Sequence, residues 1–208
     1  MIRDLDATLQ ALLESEATPG SELAGAEVVF DLPDAEWRAG LSQLTVNCYL
    51  YDIRENPGLK TAEPLRLRSE DGARGSWIRP PVRIDSRYCI TAWSTASEDP
   101  VLEEHRVLSQ VLRILLRNPT LPPEALQGSL ADQIPPYPTV VAATDGLENQ
   151  PDFWGALDQQ LKPSLNYVVT LAMMLDEVPE EDDLAPVVSE VVVESEHRAE
   201  LEEEEDEE

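Results

Sequence analysis

The stretch from Arg79 to Asn118 limits most tightly what this chain can fold into, because a strand signal and a helix signal stand back to back in it. It begins Arg79-Pro80-Pro81-Val82-Arg83-Ile84-Asp85-Ser86-Arg87-Tyr88-Cys89-Ile90-Thr91-Ala92-Trp93. Apolar and polar residues alternate here (Val82, Ile84, then Tyr88 and Ile90), the pattern of a half-buried strand whose side chains point to opposite faces in turn. The two prolines stand at the start, where a missing N–H costs the sheet ladder least. Asp99-Pro100 then opens a helix, with Asp99 placed to cap it and Pro100 suited to the first helical position. Leu108, Val111, Leu112 and Leu115 recur at helical spacing, and Asn118-Pro119 ends the run.

The rest of the chain supplies partners for this unit. Residues 2–14 set Ile2, Leu5, Leu9, Leu12 and Leu13 on one face of an amphipathic helix. Ser15 to Gly25 reads as a loop, Ala26 to Phe30 as a short strand, and Ala35 to Gly40 as a turn around Trp37. Gln43 to Ile53 reads as a central strand: Leu44, Val46, Cys48, Leu50 and Asp52 share one face, and Thr45, Asn47, Tyr49, Tyr51 and Ile53 the other. Arg54-Glu55-Asn56-Pro57-Gly58 is a turn, and residues 59–79 a long hairpin or loop with a Gly-rich tip from Gly72 to Gly75. A short helix is predicted from Pro123 to Leu130, and a strand from Thr139 to Ala143. A helix from Pro151 to Lys162 places Phe153, Trp154, Leu157 and Leu161 on one face, and Leu165 to Leu171 is a strand continuing towards Leu175. The fold class is therefore α+β, a single mixed β-sheet flanked by helices over residues 1–175, with an acidic tail over 176–208. In the tail Val187, Val188 and Val191 to Val193 read as a brief strand or partner-binding peptide, and Leu201 to Glu208 predicts disorder.

Charge is spread unevenly. The formal net charge is −27, and residues 176–208 alone hold 17 acidic residues against one basic residue, Arg198. Phosphate recognition needs basic surface, so direct nucleic-acid binding is not expected. No apolar run reaches the roughly 20 residues that span a bilayer, and Met1-Ile2-Arg3-Asp4-Leu5-Asp6 does not read as a signal peptide, so the expected location is the cytoplasm. Cys48 and Cys89 fall inside predicted strands and read as buried thiols, without the close Cys and His spacing of a zinc site.

Motifs for chemistry are missing. The sequence contains no G-x-S-x-G elbow, no G-x-x-x-x-G-K-[ST] loop and no G-x-G-x-x-G after a strand. Glu104 and His105 could form an acid/base pair on the helix, but His105 reads more simply as a solvent-facing or interface histidine. Arg83, Asp85 and Arg87 share one strand face, suited to an anion or, preferably, to ion pairing with a neighbour. Tyr49, Tyr51, Trp77, Trp93 and Trp154 could line a pocket, although aromatic residues at this spacing more often pack in a core or interface. No catalytic residue, cofactor or metal ligand is assigned.

Several stretches, taken in order, resemble a known family. They are Tyr49-Leu50-Tyr51-Asp52-Ile53-Arg54-Glu55-Asn56, then Arg79 to Asp85 running into Trp93, then Glu104-His105-Arg106 with its leucine-rich helix. Phe153-Trp154-Gly155-Ala156-Leu157 and Lys162-Pro163-Ser164-Leu165-Asn166-Tyr167-Val168-Val169-Thr170 complete the set. Together they resemble the tail-terminator (cap) proteins of phage-tail-like contractile injection systems, over roughly residues 1–175. The resemblance implies a non-enzymatic α/β subunit in a six-fold ring. That ring ends the inner tube and outer sheath opposite the baseplate and anchors the sheath, so the implied partners are further copies, tube protein and sheath protein. Closed rings need two unlike complementary patches per subunit. The candidate interface residues are Arg54, Glu55, Asn56, Arg66, Arg68, Arg79, Arg83, Asp85 and Arg87. The alternatives are a soluble enzyme using Glu104 and His105, and an adaptor that captures a basic partner through its acidic tail.

Overall fold

The computed structural model describes residues 1–69, 74–131, 136–143, 147, 149–175 and 185–186. The chain divides into two units, the larger formed by Met1–Thr61 and Pro81–Leu175. That unit is built on strands β1 (Glu27–Val29) and β2 (Thr45–Glu55), and on the segments here called β5 (Val82–Trp93), β6 (Thr139–Val141) and β7 (Leu165–Met173). They form a mixed sheet in the order β1-β2-β5-β7-β6, in which β1 runs parallel to β2 and the remaining pairs are antiparallel. The expected strand–helix unit is its centre: β5 lies mid-sheet, and α3 spans Pro100–Arg117.

One face of the sheet is aliphatic. Helix α1 (Ile2–Glu16) buries Leu5, Leu9, Leu12 and Leu13, and α3 buries Val107, Leu108, Val111, Ile114 and Leu115. Both stripes follow from apolar residues spaced three and four apart, and they close over Val46, Cys48, Tyr88, Ile90, Val169 and Leu171. Each leucine fully buried there contributes about 2 kcal/mol. The Asp4 carboxylate fixes the start of α1 against a 3-10 turn (Gly128–Leu130), accepting from the N–H and the hydroxyl of Ser129 at 3.2 and 2.5 Å. The Ser129 hydroxyl holds its acidity at about 2, below the ordinary 3.8. Gly128 adopts φ +54°, and a Cβ there would stand 2.7 Å from the Asp4 carboxyl carbon, so any other residue would be strained and would have to displace the Asp4 carboxylate.

The opposite face is aromatic. Cys89, Trp93, Trp154 and Leu157 form a second cluster, with Trp37, Tyr51 and Phe153 packed on it. Trp93 meets Trp37 edge to face at 5.5 Å, and Phe153 meets Trp154 likewise at 5.5 Å. Both cysteines are free and buried, and they face opposite sides of the sheet, so no disulfide is open to them.

Several expectations change. The turn at 35–40 is a short helix, α2 (Ala35–Ala39), capped by Asp34, whose carboxylate accepts from the Trp37 N–H at 2.8 Å. Asp99 occupies the cap position of α3 but makes no side-chain cap, because it takes a left-handed conformation (φ 47°). The predicted helix from Pro123 to Leu130 is two 3-10 turns, Pro123–Ala125 and Gly128–Leu130. The helix expected to reach Lys162 is α4 (Gln150–Ala156); Asp158 turns left-handed at φ 52°, and Leu161 stays exposed. Asp52 also leaves the face expected of it, because the register of β2 against β5 shifts between Leu50 and Asp52.

The smaller unit comprises Ala62–Pro80 and Asp176–Glu208. The expected hairpin is present as β3 (Leu65–Arg68) and β4 (Arg74–Ile78), paired antiparallel, and a two-residue strand, β8 (Ala185–Pro186), adds to β4. The other readings made for the tail (Val187, Val188, Val191 to Val193, and disorder from Leu201 on) lie outside the described residues.

Candidate functional site

Within the larger unit the structure gathers six of the nine candidate residues at one end of the sheet. The register between β2 and β5 shifts between Leu50 and Asp52, so Tyr51 is an extra residue in β2. A bulge of this kind turns every following side chain to the other face. Asp52 therefore pairs with Arg87 on the aromatic side, away from Val46, Cys48 and Leu50. Arg54 follows it on that face, opposite Asp85.

Asp85 is the hub. It is 9% exposed, and its carboxylate accepts from the Thr170 hydroxyl at 2.7 Å and from the Asn56 amide at 3.0 and 3.2 Å. The Arg87 guanidinium stands 3.9 Å from Asp85 and 4.0 Å from Asp52. Burial pushes the Tyr51 hydroxyl towards a higher pKa, and neighbouring Arg87 works against that shift. Asn56 also donates its backbone N–H to the Arg83 carbonyl at 2.8 Å, closing β2 onto β5. Arg54, mostly exposed, pairs with Asp52 at 2.6 Å, and Lys60 pairs with Glu55 at 3.0 Å. Both Asp85 oxygens are engaged, and the buried carboxylate has its counter-charge in Arg87, as desolvation requires. The ion pairing expected of Arg83, Asp85 and Arg87 is thus found at Asp85 and Arg87, partly with β2.

In the smaller unit, Arg66 and Arg68 stand exposed on β3, and Arg79 is exposed just past β4. The Arg66 guanidinium lies over the Trp77 ring, 5.7 Å from its centre. Trp77 is 66% exposed, whereas Trp93 and Trp154 are core residues, as their spacing suggests.

The acid/base pair is not assembled. Glu104 accepts from Lys162 at 3.1 Å and from the Ser94 N–H at 3.1 Å, while His105 lies exposed on the surface of α3. Lys162 also donates to the Ala92 carbonyl at 2.6 Å and sits 3.7 Å from the centre of the Trp93 ring. Its burial pulls the amine pKa down, and Glu104 partly restores it. Sequence reasoning missed this clasp, which lines a cavity of about 390 Å³ with Arg38 and Ser94. Among the described residues no group of three potential metal ligands converges, and no helix is long and apolar enough to cross a membrane.

A family model described as the Pvc16 N-terminal domain matches residues 4–190. The chain belongs to this family. The match runs 15 residues past the boundary drawn at 175 and takes in the paired segment Ala185–Pro186. Among solved structures, the fold of this Pvc16 N-terminal domain is similar to a sheath/tube terminator of an extracellular contractile injection system, seen in its extended state. The TM-score is 0.61 at 28% identity, over 97% of this chain and 65% of the other. It is also similar to the tube-terminating cap of the anti-feeding prophage, with a TM-score of 0.59 at 26% identity, over 91% and 60%. The chain thus spans less than two thirds of the length of either structure. No curated protein matches the sequence. The tail-terminator resemblance and the α+β fold expected from the residues both hold.

Proposed function

We propose that this chain is a cap of a phage-tail-like contractile injection system and converts no substrate. Copies of it form a six-fold ring on the end of the inner tube and outer sheath opposite the baseplate, stop their growth, and hold the sheath when it contracts. The observation that carries this reading is the fold shared over 97% of the chain with a sheath/tube terminator. The engagement of Glu104 with Lys162 and Ser94, away from His105, also favours a structural role over an acid/base enzyme. In this reading residues 1–175 form the terminator body and 176–208 an accessory acidic tail. The chain is made in the cytoplasm and incorporated at the cap end of the particle. The candidate interface residues face a neighbouring copy, tube or sheath.

The test is a deletion strain examined by electron microscopy. Tubes and sheaths of uncontrolled length, corrected by the wild-type chain, support the cap. Particles of normal length without the chain would sink it. Particles of normal length without the chain, together with a chain lacking residues 176–208 that still folds but loses a basic partner, would favour the adaptor reading.

A further inference from the structure

The hairpin of β3 and β4 has two unlike sides. Its register pairs Leu65 with Ile78 and Leu67 with Ser76 on one face, and Arg66 with Trp77 and Arg68 with Gly75 on the other. Directly paired residues of an antiparallel ladder share a face. The first face is the sheltered one, with Ile78 8% exposed and Leu65 and Leu67 half-buried. On the second face Arg66, Arg68 and Trp77 are all exposed, and within the described residues neither Arg66 nor Arg68 enters an ion pair. Exposing a tryptophan to this extent forgoes apolar burial, and Arg66 stacked on it holds both side chains in place. Tryptophan and arginine are the residue types that dominate binding energy when they stand at the centre of an interface.

Charge indicates what covers this face. Residues 62–80 hold 4 of the 15 basic residues and only 3 of the 42 acidic ones, leaving 11 basic against 39 acidic residues to the rest of the chain. Two copies repel each other almost wherever they meet, and an arginine face set against an acidic stretch reverses the sign. Head-to-tail closure needs two unlike patches on one subunit, and the hairpin face and the acidic remainder are such a pair. We propose that Arg66, Arg68 and Trp77 form a docking surface for an acidic stretch of a second copy of this chain, with Trp77 as its apolar anchor. The proposal rests on the ring reading above for its geometry.

The experiment places a p-benzoylphenylalanine photocrosslinker at position 77 of the full chain, irradiated in concentrated solution and in assembled particles. The expected product has twice the chain mass, with the second chain attached through an acidic stretch. Its yield should fall at least tenfold when Arg66→Glu and Arg68→Glu are added, and fall in high salt. The same crosslinker at Ser76, on the opposite face, should give little of it. Crosslinks to tube or sheath protein alone overturn the proposal while leaving the cap reading intact, and crosslinks to nothing in both samples also overturn it. Copies that crosslink to one another, in a chain found in no particle, would uphold the docking surface and defeat the cap.

Discussion

Arginine does different work in the two units. In the larger one Arg87 sits 13% exposed between Asp52 and Asp85, tied into a network that also uses Thr170. In the smaller one Arg66 and Arg68 stand in water, one of them stacked on an exposed tryptophan. The first arrangement serves the fold, because a desolvated charge needs its counter-charge in place before the sheet can close around it. The second contributes little to folding, since exposed ion pairs and stacks are worth well under the burial of one leucine. Stability measurements should separate them.

The largest expected effect is at Asp85. Asp85→Ala removes the Arg87 counter-charge at 3.9 Å and orphans the Asn56 amide and the Thr170 hydroxyl as donors. A loss of about 3 kcal/mol is expected in urea unfolding. A loss below about 0.5 kcal/mol would mean that the network is surface-like. Lys162→Met comes next. Methionine keeps an apolar contact with Trp93 but leaves the Glu104 carboxylate, 16% exposed, with the Ser94 N–H as its remaining partner. The expected loss is about 2 kcal/mol.

Neither network was legible as a network, although its members were. Alternation marked β5 and placed Arg83, Asp85 and Arg87 on one face, and heptad-like leucine spacing marked α1 and α3. The bulge at Tyr51 has no compositional signal, because Tyr49, Leu50, Tyr51 and Asp52 continue the alternation unbroken, and it alone carries Asp52 across to Arg87. Thr170 and Lys162 reach their partners from 85 and 58 or more residues away, a distance that local pattern cannot cover. The left-handed turn at Asp158 likewise cut short a helix whose apolar spacing ran on to Leu161. The hairpin face was partly within reach. Leu65-Arg66-Leu67-Arg68 alternates strictly, so the two sides of β3 are legible in its residues, whereas Trp77-Ile78 sets two apolar residues side by side and hides which of them lies exposed.

A smaller effect is expected at the buried end of the aliphatic face. The Tyr88 hydroxyl donates to Asp6 at 2.7 Å, and Tyr88→Phe should cost about 1 kcal/mol, less than Asp85→Ala because Asp6 keeps some access to water. Burial raises the Asp6 carboxyl above its ordinary 3.8, and the Tyr88 hydrogen bond opposes the shift. The folded state therefore holds this proton more tightly than the unfolded state does. The stabilisation is fully present below pH 3.8 and is lost as pH rises through the raised folded value. Asp6→Asn removes the buried carboxylate, so the variant should gain on the wild type as pH rises through that window. Parallel stability curves for the two proteins would refute the assignment.

The smallest expected effect is the most informative, because it concerns the other set of arginines. Arg66→Glu with Arg68→Glu reverses two exposed charges that enter no ion pair within the described residues, so unfolding free energy should move by no more than about 0.5 kcal/mol. The Arg66 stack on Trp77 is lost, and at so exposed a ring that contact is worth about 0.5 kcal/mol. Asp85→Ala, one residue against two, should cost several times as much. If the double variant instead unfolds the chain, these arginines are structural and the contrast between the units collapses. If stability holds while copies cease to associate, the arginine face owes its residues to a partner, since the fold gains almost nothing from them.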